Sequence, residues 1–302
     1  MAARGVVQIG SRALNNVLSP APLRAGALVA LVTAPVMAAE PPATVRVVID
    51  QAYGYRERTS MELKPIEAFE LPLAELAVDL LVGAGVDPVG AGAPSYDGTL
   101  TITAKGEALG TLYFDEEARF LYTGANLRGA LTLERDGVVL YDGAFVGQMN
   151  RQRRIERDIG YDNPANAPFD GALQAPGSYL DRVVELVGAV YGAGALASVL
   201  LDGDPRLRPA AARVLGDLGD PSVGVDLIDA LLDADREVRW QAAWSLGRLG
   251  VTEAVEPLIE ALDDRDADVR WFAAWSLGAL TGEAFGEDAD AWSAWYQDRV
   301  AN

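Results

Sequence analysis

The sequence contains no cysteine and no histidine among its 302 residues. Disulfides, thiolate nucleophiles and zinc sites with Cys or His ligands are therefore excluded. A Ser-His-Asp triad and acid–base catalysis by histidine are excluded for the same reason. Any bound metal would have to be a hard cation held by oxygen ligands. No spacing of the remaining acidic, hydroxyl or lysine side chains indicates an active site, so we expect a non-catalytic protein without a metal or cofactor.

Positive charge is also scarce. Only Lys64 and Lys105 are lysines, and 44 acidic residues outnumber 25 basic ones, which gives a net charge of −19. Nucleic-acid binding needs clustered basic side chains, so we expect no nucleic-acid partner. Adsorption to anionic lipid is disfavoured by the same argument. Half of the residues are apolar, and the length fits about two domains with sizeable cores.

The N-terminal segment 1–39 has a composition of its own. It contains Arg4, Arg12 and Arg24 and no acidic residue, and after Arg24 follows the apolar run "AGALVALVTAPVMAA" with small residues at its end. This pattern predicts an export signal and a periplasmic or secreted protein of the cell envelope. The run is shorter than the roughly 20 residues of a membrane span, so we expect no span in the mature chain. A disordered extension or an uncleaved anchor remains an alternative, and the protein would be cytoplasmic if the segment is not a signal.

Residues 40–177 have the pattern of a small α+β domain. Alternating apolar and polar residues, which are typical of strands, occupy 44–50, 97–106 and 129–143. The dipeptide Asp136-Gly137 predicts a tight hairpin turn within the last of them. A helix is predicted over 71–86, and another begins near Ser178. This order predicts an antiparallel sheet with helices on one face.

The C-terminal part, 178–302, is built of repeats. The stretches "VRWQAAWSLG" at 238–247 and "VRWFAAWSLG" at 269–278 are 31 positions apart, and Leu207-Arg208 begins an earlier copy at the same interval. Helix pairs at a fixed period are the signature of a solenoid, in which each unit buries its apolar face against its neighbours. We therefore predict an all-α solenoid that ends in a capping helix.

The repeat pattern D-x-x-V-R-x-x-A-A-x-x-L-G-x-L-G resembles the short bacterial HEAT repeats, also called phycobilisome-lyase-like HEAT repeats. The resemblance covers residues 190–298 and implies a HEAT-like solenoid whose variable helix positions line a binding groove. A deoxyhypusine-hydroxylase-like metal site on such an array would need histidine, which this chain lacks. Beyond the repeat itself, nothing supports a bilin lyase.

Four tryptophans recur at the groove positions of this pattern. On a helical wheel Trp240 and Trp244 lie opposite the apolar stripe that contains Val238, and Trp271 and Trp275 repeat them. Side by side, the four rings would form an array of about 600–1,000 Å². The largest apolar patch of a typical monomer is about 300–600 Å², so we expect this face to be covered, either by a partner or by the chain itself. The predicted partner-binding residues are Trp240, Trp244, Arg248, Trp271, Trp275 and Arg213.

Two repeated series at the helix starts indicate structural roles. Aspartates precede each repeat helix, and arginines follow within it, at Asp204, Asp235, Asp266, Arg208, Arg239 and Arg270. We expect the aspartates to cap the helices and the arginines to pair with acids between helices.

The sequence thus predicts an exported scaffold protein that binds a protein partner, itself not identified, through the tryptophan-rich face. Four alternatives remain open. The chain could cover the rings itself, with Trp292 and Trp295 of the last helix or with the N-terminal domain. The rings could bind a small molecule or glycan. A ligand-binding or catalytic role could reside in the α+β domain, with the solenoid as a cap. The arginine-rich run at 150–158 could bind an anion or a lipid headgroup, or dock intramolecularly onto the acidic solenoid.

Overall fold

The computed structural model describes residues 40–57, 63–65, 70–90, 92–112, 120–150, 166–173, 175 and 177–301. Ala39–Asn302 form one compact unit. The predicted export signal and residues 151–158 of the arginine-rich run lie outside the described residues, so both stay predictions. The predicted domain boundary at 177/178 also stays a prediction.

The strands are β1 (Thr44–Glu57), β2 (Leu63–Pro65), β3 (Asp87–Val89), β4 (Gly98–Leu112), β5 (Phe120–Arg135) and β6 (Val138–Asn150). The longer helices are α1 (Leu73–Gly83), α2 (Asn166–Leu173), α3 (Tyr179–Tyr191), α4 (Ala193–Asp202), α5 (Arg208–Leu218), α7 (Arg236–Leu249), α9 (Ala267–Thr281) and α10 (Ala289–Val300). Two shorter helices, α6 (Gly224–Ala230) and α8 (Val255–Glu260), alternate with them, and 3-10 turns occupy Pro221–Val223, Thr252–Ala254 and Ala261–Asp263.

The described strands form one mixed sheet in the order β2-β1-β4-β5-β6, and β3 also pairs with β1. The expected antiparallel pairing holds for β1–β2, β4–β5 and β5–β6, whereas β1 runs parallel to β4 and to β3. Helix α1 lies between β1 and β4 in the chain, and a crossover of this kind returns the chain to the same end of the sheet. The predicted hairpin is confirmed: Asp136 and Gly137 both have positive φ, at 52° and 78°, as a primed turn requires.

One face of the sheet is apolar and is covered by α1, α2 and α3. Alternate residues of β4 and β5, such as Leu100, Ile102, Leu127 and Leu131, are fully buried on this face. The intervening residues point outward and are mostly polar, which is the alternation of a half-buried sheet. Tyr179 of α3 is also fully buried, and its hydroxyl donates a hydrogen bond to the Leu73 carbonyl of α1.

Helix α3 joins the sheet to the solenoid. It packs on β6 on one side and on α5 on the other. Arg182 Nε donates to the Ala144 carbonyl of the edge strand β6 at 3.0 Å, and Tyr141 Oη of β6 donates to the Arg182 carbonyl at 3.2 Å. Buried side chains of sheet and helices therefore belong to one hydrophobic core. The predicted fold class, an α+β region with a sheet and helices followed by a HEAT-like helical solenoid, is confirmed.

Small residues set the spacing between successive repeats. Ser245 Oγ of α7 donates to the Ala212 carbonyl of α5 at 2.8 Å, and Ser276 Oγ of α9 donates to the Ala243 carbonyl of α7 at 2.7 Å. A Cβ at Gly216 would lie 2.3 Å from Ser245 Oγ. The glycine of the Leu-Gly motif is therefore needed for the close approach of the next helix.

The repeated arginines connect neighbouring elements as predicted, and two of the three repeated aspartates cap their helices. Arg208 pairs with Asp233 at 3.1 Å, and Arg239 pairs with Asp264 at 2.7 Å, 25 residues further along in each case. In the last repeat Arg270 instead reaches Glu287 at 3.4 Å. The Asp235 and Asp266 carboxylates accept backbone N–H bonds at the starts of α7 and α9. In the first repeat the expected cap is absent: Leu207 precedes α5 without a side-chain cap bond, and Asp204 instead accepts from the Arg206 backbone N–H in the preceding turn.

Candidate partner-binding face

Helices α5, α7 and α9 lie side by side and form one row of the solenoid. Their apolar stripes point into the core as the helical wheel predicts, since Val238, Ala242, Leu246 and the matching Val269, Ala273 and Leu277 are all fully buried. The groove positions therefore lie on the other side of each helix. We call this surface, which contains the predicted partner-binding residues, the tryptophan face.

The four tryptophans are not equally exposed. Trp271 and Trp275, one turn apart on α9, have 54% and 43% of their surface exposed. Trp240 and Trp244 on α7 are half-buried. The accessible aromatic surface is thus concentrated on the last repeat and is smaller than the array of four fully exposed rings suggested by the sequence.

A residue that the sequence analysis did not select, Phe272, explains part of this difference. Its ring stacks on Trp240 with centroids 4.9 Å apart and meets the Trp271 ring edge-on at 4.7 Å. The rings of α7 and α9 were expected to lie side by side, but Trp240 and Trp271 are connected through Phe272 instead. The signal was present in the repeat: Phe272 stands 31 positions after Gln241, so an aromatic side chain replaces a polar one on the tryptophan face.

Trp244 is covered by an arginine of its own helix. The Arg248 guanidinium lies over the Trp244 ring, with Cζ 4.5 Å from the ring centroid. Arg248 also pairs with Asp217 of α5. Arg213 pairs with the same Asp217 at 3.1 Å and with Asp181 of α3 at 2.9 Å. Both predicted arginines thus belong to one ion-pair network that reaches from α7 to α3.

Two other carboxylates of the face have no such counter-ion. Glu237 and Asp268 occupy the same repeat position in α7 and α9, both are exposed, and neither forms an ion pair within the described part of the chain. The pKa of Glu237 is raised, first by desolvation and then by the negative charges of Asp235 and Asp181. The positive charge of the neighbouring Arg236 partly offsets this increase.

A shallow pocket lies where this face meets α3. It is lined by Leu180, Asp181, Pro205, Arg206, Pro209, Ala210, Arg213, Asp235, Glu237 and Gln241.

Across the described ranges, no three His, Cys, Asp or Glu side chains converge as a metal site would require. No described helix is long and apolar enough to cross a membrane.

The last helix does not cover the exposed rings. Helix α10 packs against α8, in the other row of the solenoid. Its Trp292 is fully buried at the end of the core, where Nε1 donates to the Gly286 carbonyl at 2.8 Å. Trp295 meets Trp292 edge-on at 5.7 Å and carries Arg299 over its ring. These two tryptophans close the array, while Trp271 and Trp275 stay exposed.

The stacked helix pairs define a protein with an α-solenoid packed beside a sheet. The family model described as HEAT repeats matches residues 225–291, and the one described as PBS lyase HEAT-like repeat matches residues 207–233. The C-terminal part of the chain therefore contains HEAT repeats, and the resemblance inferred from its repeat pattern is confirmed. HEAT repeats suggest a protein-interaction or scaffold role, because solenoids offer extended surfaces to partners.

Among solved structures, the chain is similar to one in the complex of CpcE and CpcF of phycocyanin lyase from Nostoc sp. PCC7120. The identity is 20%, and the match covers 50% of this chain and 76% of that chain, with a TM-score of 0.24. No curated protein matches the chain significantly.

Proposed function

We propose that this HEAT-repeat protein is a non-catalytic binding protein of the cell envelope, and that it binds a protein partner through the tryptophan face. The observation that carries the proposal is the exposure of Trp271 and Trp275, at 54% and 43%, one turn apart on the last repeat helix. Tryptophan and arginine are the side chains that most often dominate binding energy at protein interfaces.

The neighbouring side chains support these rings in a fixed arrangement. Phe272 packs edge-on against Trp271 and stacks on Trp240, so the aromatic part of the face is held between α7 and α9. Arg213 and Arg248 are held by the Asp217 carboxylate. A surface that is already ordered loses little conformational entropy when a partner binds, which increases affinity.

Site-specific photo-cross-linking in native envelope extract tests the proposed face. A cross-linking amino acid is introduced at the exposed positions Ala267 or Ala279, which flank the two rings on α9, and for comparison at Val225 or Leu232. The last two side chains are 70% and 84% exposed but belong to the row of α6 and α8. We expect one protein to be captured from Ala267 and Ala279 only, and to be lost in the Trp271→Ala/Trp275→Ala variant.

The matched control is the Val225→Ala/Leu232→Ala variant, which removes a similar kind of exposed apolar surface from the other row. It should retain the captured protein, and the purified partner should then bind the purified wild-type chain. Equal capture from both rows, or capture that survives loss of the two tryptophans in a folded variant, would contradict the proposed face.

The proposed envelope location rests on residues 1–39, which carry three arginines, no acid and an apolar run that ends in small residues. Mass spectrometry of the protein purified from its native cell measures its N-terminus. We expect a mature chain that begins close to Ala39 or Glu40 and fractionates with the envelope. An intact Met1 in the cytoplasmic fraction would reject export and leave the proposed binding face untouched.

A further inference from the structure

The two tryptophans at the second groove position of the last two repeats have different surroundings. Trp244 has the Arg248 guanidinium over its ring at 4.5 Å. Thirty-one residues later Trp275 occupies the same place in α9, but Ala279 replaces the arginine. Both Trp275 and Ala279 are exposed, and within the described ranges no cation lies over the Trp275 ring. The last repeat thus repeats the aromatic half of a cation–π pair without its cation.

An acidic side chain lies on the same side of α9 as Trp275. Asp268 lies seven residues before Trp275, close to two helical turns, and therefore on the same side of α9. Glu237 is its counterpart on the adjacent α7. Neither carboxylate forms an ion pair in the described chain, although Arg236, which pairs with Asp266, interacts electrostatically with both. In contrast, the third acid of the face, Asp217, already holds both Arg213 and Arg248.

From these observations we infer that the partner inserts an arginine or lysine side chain over Trp275, in the place that Arg248 fills at Trp244. This inference rests on the proposed function and specifies the chemistry of the partner: a basic segment. The ring provides a cation–π contact, and Asp268, about two turns away on the same side of α9, provides an opposite charge for the same basic segment. The net charge of −19 favours encounter with a basic surface over an acidic one.

Binding of defined peptides tests the inference independently of the natural partner. Fluorescein-labelled hexapeptides of alternating glycine with arginine, with leucine or with glutamate are titrated with the purified protein at about 0.15 M salt, where long-range charge attraction is largely screened. We expect the arginine peptide to bind most tightly. Its affinity should fall by about 3- to 30-fold in the Trp271→Ala/Trp275→Ala variant, which keeps every charge.

The Ala279→Arg variant is the most direct test, because it places on α9 the arginine that α7 carries at the same repeat position. Its guanidinium should occupy Trp275 and weaken the arginine peptide by a similar factor, about 3- to 30-fold. Ala279→Gln adds similar bulk without charge and should leave the affinity unchanged. Asp268→Asn should weaken binding, whereas Glu260→Gln, an exposed acid on α8, removes the same charge elsewhere and should not.

Two results would overturn the inference. Tighter, tryptophan-dependent binding of the leucine peptide would show that the rings receive an apolar side chain. Equal binding of the arginine peptide to the wild type, Ala279→Arg and Trp271→Ala/Trp275→Ala would show that general charge attraction acts without the rings. Both results leave the photo-cross-linking test of the tryptophan face unaffected, so failure of the partner chemistry is distinguishable from failure of the proposed function.

Discussion

Arg239 and Asp264 form a two-pronged ion pair between successive repeats, with Nε 2.7 Å from Oδ2 and Nη2 3.0 Å from Oδ1. Arg239 is only 5% exposed, and its Nη1 also donates to the Asp233 carbonyl at 2.9 Å. Removal of the arginine would leave a largely buried carboxylate without its counter-ion. We expect Arg239→Ala to reduce the free energy of unfolding by about 3–5 kcal/mol, as measured by chemical denaturation.

The control for this substitution is Arg236→Ala. Arg236 pairs with Asp266 at a comparable 3.1 Å, but its side chain is 68% exposed. Solvent screens an exposed pair, so this variant should unfold almost as the wild type does. Similar losses for both variants would show that burial does not determine the importance of these pairs.

The same ion pair makes stability depend on pH. Burial alone would raise the pKa of Asp264, but hydrogen bonds from the Arg239 guanidinium and the Asp266 backbone N–H lower it below its ordinary value. A carboxyl group with a lower pKa in the folded state stabilises the fold above its unfolded pKa, about 3.9, and loses this contribution as the pH falls through the folded value.

We therefore expect the difference in unfolding free energy between wild type and Asp264→Asn to be largest near neutral pH and to shrink below about pH 4. Denaturation curves at a series of pH values measure it. A difference that stays constant over this acidic range would mean that the charge of Asp264 is not what stabilises the contact.

Gly216 and Gly278 occupy the same repeat position but have different neighbours. A Cβ at Gly216 would lie 2.3 Å from Ser245 Oγ of the next repeat, whereas at Gly278 the nearest contact would be the Glu283 carbonyl oxygen at 3.4 Å. Gly216→Ala should lower the free energy of unfolding by about 1–3 kcal/mol through overpacking. Gly278→Ala should be neutral or stabilise by about 0.5–1 kcal/mol, because alanine is the better helix former. Thermal unfolding of both variants measures the contrast, and the reverse order would refute the close approach of α7 to α5.

Trp292 is a structural tryptophan, whereas Trp271 and Trp275 are surface tryptophans. Trp292 is fully buried and is packed edge-on against Phe285 at 4.9 Å. Trp292→Ala should cost about 3–5 kcal/mol of stability because it leaves a cavity at the end of the core. Trp271→Ala/Trp275→Ala should cost less than about 1 kcal/mol, since both rings are exposed. Extensive unfolding of the double variant would show that the rings stabilise the fold and would weaken their assignment to a partner.

The fold of the helical half could be predicted from the sequence because its contacts are local and repeated. The same residues return after 31 positions, so the core stripe at Val238 and Val269 and the caps at Asp235 and Asp266 follow from one helical period. The parallel pairing of β1 with β4 did not follow, because alternation reveals which face of a strand is buried but not which strand lies beside it.

The candidate site, too, could be predicted only in part from the sequence. The sequence by itself determined which side chains stand on the outer face of α7 and α9, since helical geometry fixes the direction of each residue. Only the tertiary structure decided how much of each ring remains exposed. Phe272 reaches across to Trp240, Arg248 folds back over Trp244, and Trp271 and Trp275 lack an equivalent cover. These differences depend on contacts between neighbouring helices and on side-chain conformation. Neither can be predicted from the repeat period of the sequence.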